Sequence, residues 1–264
     1  MIRVNKIVES VFRRFNPNTK SVDFIICGTQ KGGTTALDIY LREHLEICMA
    51  ARKEVHFFDN EDNFANGNPD YSEYHRFFKP KKTHKLLGES TPVYMYWNES
   101  PKRIFEYNPK MKLIIILRNP IERAYSHWNM ERSRGADSLS FSEAVSSEEE
   151  RCRAALPYQH RLFSYIDRGH YIDQLRTIWK YFPKQNVLVL RNEDLKQHPK
   201  DTLNKVADFL EVAHFNDIEN KDIHSRPYVS QIDVKERTFL KSIFEAGIRE
   251  LEAELQWDCS DWLE

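Results

Sequence analysis

Phe24-Ile25-Ile26-Cys27-Gly28-Thr29-Gln30-Lys31-Gly32-Gly33-Thr34-Thr35-Ala36-Leu37 decides the fold: an apolar run enters a glycine-rich turn and leaves it as a helix. Four successive apolar residues before Gly28 predict a buried strand, with Cys27 a small buried thiol inside it. Glycines at 28, 32 and 33 allow a tight turn whose N–H groups converge on an anion, and a helix starting near Thr34 adds its positive dipole end. Lys31 supplies a mobile positive charge inside the turn. The pattern predicts a phosphate cradle.

Its spacing departs from the nucleoside-triphosphatase loop G-x-x-x-x-G-K-[ST]. Gly28 and Gly33 keep the four-residue gap, but Thr34 follows Gly33, and the lysine stands inside the loop at 31. A lysine there meets a shorter anion than a triphosphate. In this order and composition, Gly28, Thr29, Gln30, Lys31, Gly32, Gly33, Thr34 and Thr35 resemble the 5′-phosphosulfate loop of sulfotransferases that use 3′-phosphoadenosine 5′-phosphosulfate (PAPS). The resemblance implies that Lys31 contacts the donor's phosphosulfate, that the threonines and backbone amides bind its 5′-phosphate, and that PAPS is the co-substrate with no metal required.

Around this loop the chain reads as one α/β domain. Apolar runs at Lys112–Leu117 and Asn186–Leu190 predict further buried parallel strands, each followed by an arginine, Arg118 and Arg191. Helical periodicity covers Ile121–Arg132, Tyr171–Tyr181, Thr202–Leu210 and Asp233–Glu254, and the charged, serine-rich stretch Phe141–Arg153 predicts a surface helix or mobile loop. Alternation of this kind predicts a single-domain, doubly wound parallel sheet flanked by helices over residues 21–264, with an N-terminal helical extension over 1–20, and the resemblance implies that this is the P-loop-like sulfotransferase fold. Ligands of such sheets lie at the carboxyl ends of the strands, so Arg118 and the loop share one edge. Arg118, Pro120 at a helix start and Ser126 within that helix can converge on a second phosphate. This segment resembles the family's 3′-phosphate motif, which assigns Arg118 and Ser126 to the donor's 3′-phosphate. The resemblance also carries Ser225 and Arg226, in the segment His224–Tyr228, to the same phosphate, although the family's Lys-Gly-Arg form is not reproduced.

Sulfuryl transfer needs a base for the acceptor hydroxyl or amine and positive charge on the leaving side. Arg52-Lys53-Glu54-Val55-His56-Phe57-Phe58-Asp59 offers a carboxylate twenty-three residues after Lys31, among apolar neighbours that would raise its pKa. In extended geometry Glu54 and His56 share a face. The stretch is similar to the K-E-x-H-F-F-D signature of glycosaminoglycan-type sulfotransferases and their bacterial relatives. That resemblance implies Glu54 as base, His56 as its orienter or as an alternative base, and Lys31 on the bridging oxygen. Gly88-Glu89-Ser90-Thr91-Pro92 resembles an acceptor-side segment in which heparan-modifying members commonly place a lysine; Ser90 stands there instead, which favours a neutral or less anionic acceptor.

Composition bounds the remainder. The 264 residues carry 39 Lys and Arg against 40 Asp and Glu, so no global field draws the chain to nucleic acid. Four scattered cysteines form no C-x-x-C pair, which predicts a reducing compartment and no zinc site, and no segment reaches the length of a membrane span. The expected setting is cytoplasmic, the acceptor a small-molecule metabolite or alternatively an oligosaccharide or glycolipid, and a homodimer stays open. Ser133–Pro157 and Glu61–Tyr74 are the expected acceptor-facing loops, with Arg52, Lys53, Lys81, Lys82 and Lys85 able to line a basic groove. Two other classes compete: a P-loop nucleotide kinase, disfavoured by the displaced lysine and the lack of a metal-holding aspartate after Leu113–Leu117, and a non-catalytic nucleotide-binding module, which has no use for Glu54.

Overall fold

The computed structural model describes residues 21–216, 218, 228 and 231–264. The N-terminal extension and Ser225 and Arg226 lie outside the described residues.

Five parallel strands, β1 (Phe24–Gly28), β2 (Ile47–Met49), β3 (Leu86–Ser90), β4 (Lys112–Leu117) and β5 (Val187–Arg191), lie in the order β2-β3-β1-β4-β5. Their side chains alternate between two apolar layers. Phe24 and Ile26 of β1 and Ile114 and Ile116 of β4 face α1 (Thr34–Glu43), α8 (Asn192–Gln197) and α9 (Pro199–Leu210), while Ile25, Cys27, Leu113, Ile115 and Leu117 face the opposite layer. That layer is built on α3 (Ser100–Tyr107), α4 (Pro120–Ser133), α5 (Phe141–Ser146), α7 (Tyr171–Trp179) and α10 (Val234–Leu255), the chain between them adding two short helices, α2 (Tyr71–His75) and α6 (Glu148–Arg153). Strands covered on both faces need the continuous apolar runs seen in the sequence, each buried aliphatic side chain contributing roughly 2 kcal/mol. Burial also pushes the Cys27 thiol up, as an inert core cysteine requires.

From β1 the chain winds outward through β2 and back to β3, then crosses to β4 and β5 on the other side. The switch point is therefore the β1/β4 boundary, where the Gly28–Thr35 turn and Arg118 emerge together. The strands and helices that the sequence predicts are present with shifted ends, β5 beginning at Val187 because Lys184–Asn186 closes a 3-10 turn and α7 stopping at Trp179, whereas β2, β3, α2, α3 and α8 lie outside that reading. The Phe141–Arg153 stretch is helical at the surface as expected, but it breaks at Ser147 into two short helices, and the carboxylate of Glu148 is buried, accepting from the amides of Ile166 at 2.7 Å and Asp167 at 2.8 Å.

Candidate active site

The phosphate turn is held by main-chain bonds. Thr29 N–H donates to the Ile116 carbonyl at 3.0 Å and Gly32 N–H to the Thr29 carbonyl at 2.9 Å, pinning the turn to β4. At Gly33 the backbone has φ 108°, and a Cβ there would stand 2.3 Å from Nδ2 of Asn192, which donates to the Gly32 carbonyl at 2.8 Å. Only glycine fits both demands. Helix α1 then starts at Thr34 with no side-chain cap, so the amides of Thr34 and Thr35 are left to a ligand, while Ala36 N–H donates to the Gly33 carbonyl at 3.0 Å.

A cleft of about 1190 Å³ opens over this turn. Gln30, Lys31, Gly33, Thr34, Thr35, Glu54, His56, Arg118 and Ser126 all line it, although they come from four separate stretches of chain. Gly28, Thr29 and Gly32 do not line it; they shape the turn from behind. Arg118 leaves the end of β4, where Tyr171 Oη donates to its carbonyl at 2.8 Å, and its guanidinium reaches Tyr228 Oη at 3.4 Å and Glu122 at 3.7 Å. Asn119 Oδ1 caps α4 by accepting from Ile121 N–H at 2.9 Å, with Pro120 in the first turn, so the helix presents Ser126 beside Arg118 on the cleft wall. Arg191, at the equivalent end of β5, turns away to Asp261 at 2.8 Å.

Across the cleft stands an ionic string. Glu54 lies 3.2 Å from Lys53 Nζ and 3.3 Å from His56 Nε2, and His56 Nδ1 lies 3.0 Å from the buried carboxylate of Asp59. Arg161 closes the string, reaching Asp59 Oδ2 at 2.5 Å and stacking 4.3 Å over the Trp97 ring. Hydrogen bonds that His56 donates to Asp59 and Glu54 outweigh burial and raise it to about 9, so its ring is an imidazolium at neutral pH. An imidazolium is no base. Burial pushes Glu54 up, but His56 and Lys53 prevail and hold it below the usual carboxylate value, which corrects the expectation of a raised pKa. The neighbouring apolar side chains, Val55, Phe57 and Phe58, are buried in the core rather than packed around the carboxylate. The shared face of Glu54 and His56 is real, but an extended strand does not make it: His56 has φ 59°.

Four further cleft residues carry no motif. Arg168, fully buried, donates to Gln30 Oε1 at 2.6 Å and to the Arg161 carbonyl at 2.8 Å, and burial brings it down to about 10. Arg161, Asn192 and Lys196 complete the set, and burial with nearby Arg118 lowers Lys196. Asn192 follows a predicted strand end and could have been suspected on that ground; Arg161 and Arg168 lie in a segment with no periodic signal. Of the expected acceptor loops, Glu61–Tyr74 lines no part of the cleft. Glu61 bonds Trp97 Nε1 at 2.8 Å, and Tyr74 is core. Ser133–Pro157 contributes Arg134 alone, with Arg161 and Leu162 lying just beyond it. Arg52 and Lys53 line the cleft, whereas Lys81, Lys82 and Lys85 do not. Ser90 is buried on the sheet and does not reach the cleft either. Among the described residues no group of three His, Cys, Asp or Glu could hold a metal ion, and no helix is long and apolar enough to cross a membrane.

Comparison with known proteins agrees with this geometry. The family described as the sulfotransferase domain matches residues 21–232. The chain is 23% identical to the membrane-associated sulfotransferase kil1 of Dictyostelium discoideum, over 74% of this chain and 57% of that protein. It is 30% identical to heparan sulfate glucosamine 3-O-sulfotransferase 5 of Mus musculus, over 70% of this chain and 52% of the relative. The chain thus spans about half the length of these curated relatives. Among solved structures, a sulfotransferase from Alicyclobacillus acidocaldarius superposes with a TM-score of 0.81 at 26% identity, covering 93% of this chain and 100% of that one.

Proposed function

The chain belongs to the sulfotransferase domain family, and on that premise we propose that its cleft moves a sulfuryl group from PAPS to a hydroxyl or amine. The observation that carries this reading is the convergence of two anion sites and one carboxylate on a single cleft: Lys31 with the α1 amides, Arg118 with Ser126, and Glu54 opposite them. Two anion sites suit a donor phosphorylated at both ends of its ribose. In the proposed reaction Glu54 takes the proton from the acceptor as its oxygen or nitrogen bonds to sulfur. The bond between sulfur and the bridging phosphate oxygen breaks, and 3′-phosphoadenosine 5′-phosphate (PAP) leaves with Lys31 against its new charge. The His56 imidazolium keeps Glu54 ionised and aimed.

The acceptor follows from the other wall. A small-molecule alcohol or amine fits the cleft, and a sugar is the second reading, favoured by the relatives named for glucosamine and by Arg52, Lys53, Arg134 and Arg161 on the lining, which offset the charge that Ser90 omits. A cytoplasmic setting and self-association remain proposals of the same kind.

Calorimetric titration with PAP, ATP and AMP in the absence of magnesium tests the donor assignment. PAP should bind far more tightly than AMP, and Arg118→Ala should weaken PAP about 10–100-fold, the worth of one charge-assisted contact. Equal affinity for AMP and PAP, or a preference for ATP, would sink it.

A further inference from the structure

The segment that carries Glu54 and His56 belongs to no strand or helix, and its backbone amides are satisfied by two hydroxyls. Val55 N–H donates to Thr91 Oγ1 at 3.0 Å, and Phe57 and Phe58 N–H donate to Tyr94 Oη at 2.9 and 3.4 Å. Both hydroxyls answer to one carboxylate. Thr91 Oγ1 donates to Glu89 Oε2 at 2.8 Å, Tyr74 Oη donates to Oε1 at 2.8 Å, and the Tyr94 hydroxyl lies beside this carboxylate and Thr91. Glu89 is fully buried on β3, where strand alternation turns it into the aromatic layer with Tyr74, Tyr94, Tyr107 and Phe58, away from the phosphate turn. It touches neither the cleft nor any cation.

We infer that Glu89 is a positioning residue for sulfuryl transfer: through Thr91 and Tyr94 it fixes the Val55–Phe58 backbone and so the place from which Glu54 meets the acceptor. The inference rests on the reading of Glu54 as the base. A carboxylate suits this post because it only accepts, so both hydroxyls must donate to it and thereby turn their lone pairs toward the loop amides. An apolar residue would leave the buried hydroxyl protons of Thr91 and Tyr74 without their acceptor. A glutamine would force one of them to accept.

The same logic gives a pH signature. Burial raises Glu89 to about 7, and the groups around it, Tyr74, Tyr94, Tyr107, Asp59 and Cys27, supply no positive charge to reverse this. Protonation converts one carboxylate oxygen into a donor and releases one hydroxyl. Sulfuryl transfer should therefore decline as pH falls through about 7, well above the range where Glu54 itself titrates.

Glu89→Gln and Tyr94→Phe test this, the latter deleting only the hydroxyl that holds Phe57 and Phe58. Hydrogen exchange at the three loop amides, PAP affinity, and transfer from labelled PAPS to water across pH 5.5 to 9 are measured for both variants and the parent. Exchange at the affected amides should quicken about tenfold or more and transfer should slow by a similar factor, with PAP affinity within about twofold of the parent. In Glu89→Gln the decline near pH 7 should vanish. Parental protection and a parental pH profile in both variants would overturn the inference. Failure of the parent to bind PAP would instead overturn the donor reading, and the exchange data would still decide whether Glu89 holds the loop.

Discussion

The two walls of the cleft are built on different principles. The donor wall is made of backbone: a turn pinned to β4 by its own amides, glycines at 32 and 33 where a Cβ would stand 2.4 Å from the Ile116 carbonyl and 2.3 Å from the Asn192 amide, and an uncapped helix end. The base wall is made of side chains, a string of alternating charge running Lys53, Glu54, His56, Asp59, Arg161, whose last link joins residues 102 positions apart. Backbone sites hold a constant ligand by shape, while strings of charge set protonation and can be retuned by one substitution. A shared donor and a variable acceptor call for that division.

The sharpest way to break the comparison is to remove function from one wall and watch the other. Glu54→Gln should cut transfer from labelled PAPS by about 10³-fold, in the range of a lost general base, and leave PAP affinity within about twofold. A parallel loss of PAP binding would show that the walls are not independent.

The donor wall is tested by strain. Gly33→Ala should destabilise the fold by about 2–3 kcal/mol in urea unfolding, combining an unfavourable φ of 108° with the clash against Asn192. Gly67→Ala, at φ 67° with nothing within 4 Å of the new methyl, should cost about 1 kcal/mol. Equal losses at the two positions would remove Asn192 from the account.

The smallest effect belongs to the base wall. His56 has its pKa raised on folding from 6.5 to about 9, so its contribution to stability is complete below pH 6.5 and is lost as pH rises through 9. Its side chain is 39% exposed, and solvent screening holds that contribution to about 1 kcal/mol. Chemical denaturation at pH 6 and pH 9.5 should show a smaller loss in His56→Gln than in the parent, the remainder coming from Glu89 and Glu148, which burial raises to about 7. An identical pH dependence in both would place the titration elsewhere.

Legibility followed the same division. Gly28–Thr35, Arg118 and Ser126 could be read because a phosphate turn and a capped helix are local: the residues that make them are neighbours in sequence, and their spacing is their geometry. Glu54 and His56 could be read as a pair, yet their charge states could not, since Asp59 meets Arg161 and His56, and Glu54 meets His56 and Lys53, only on folding. Arg168 shows the limit most plainly. Nothing in its surroundings in the sequence marks a guanidinium that will lie fully buried against Gln30, 138 positions away. The two expected acceptor loops differ for a related reason: Ser133–Pro157 brings Arg134 to the cleft, whereas Glu61 at the head of Glu61–Tyr74 is committed to Trp97 and Arg103.

The strand order has a consequence in time. β1 is made first but sits in the middle, and the partners on either side of it, β3 and β4, leave the ribosome 64 and 88 residues later, counting from Phe24 to Gly88 and to Lys112. The Asn192 amide that seats against Gly33 comes 160 residues after the Gly32 carbonyl it binds. Contacts so distant in sequence are slow to form. The phosphate turn, first of the cleft segments to be made, is thus seated only when a much later residue arrives, and a chain released before Asn192 carries every residue of the phosphate turn without the bond that seats it.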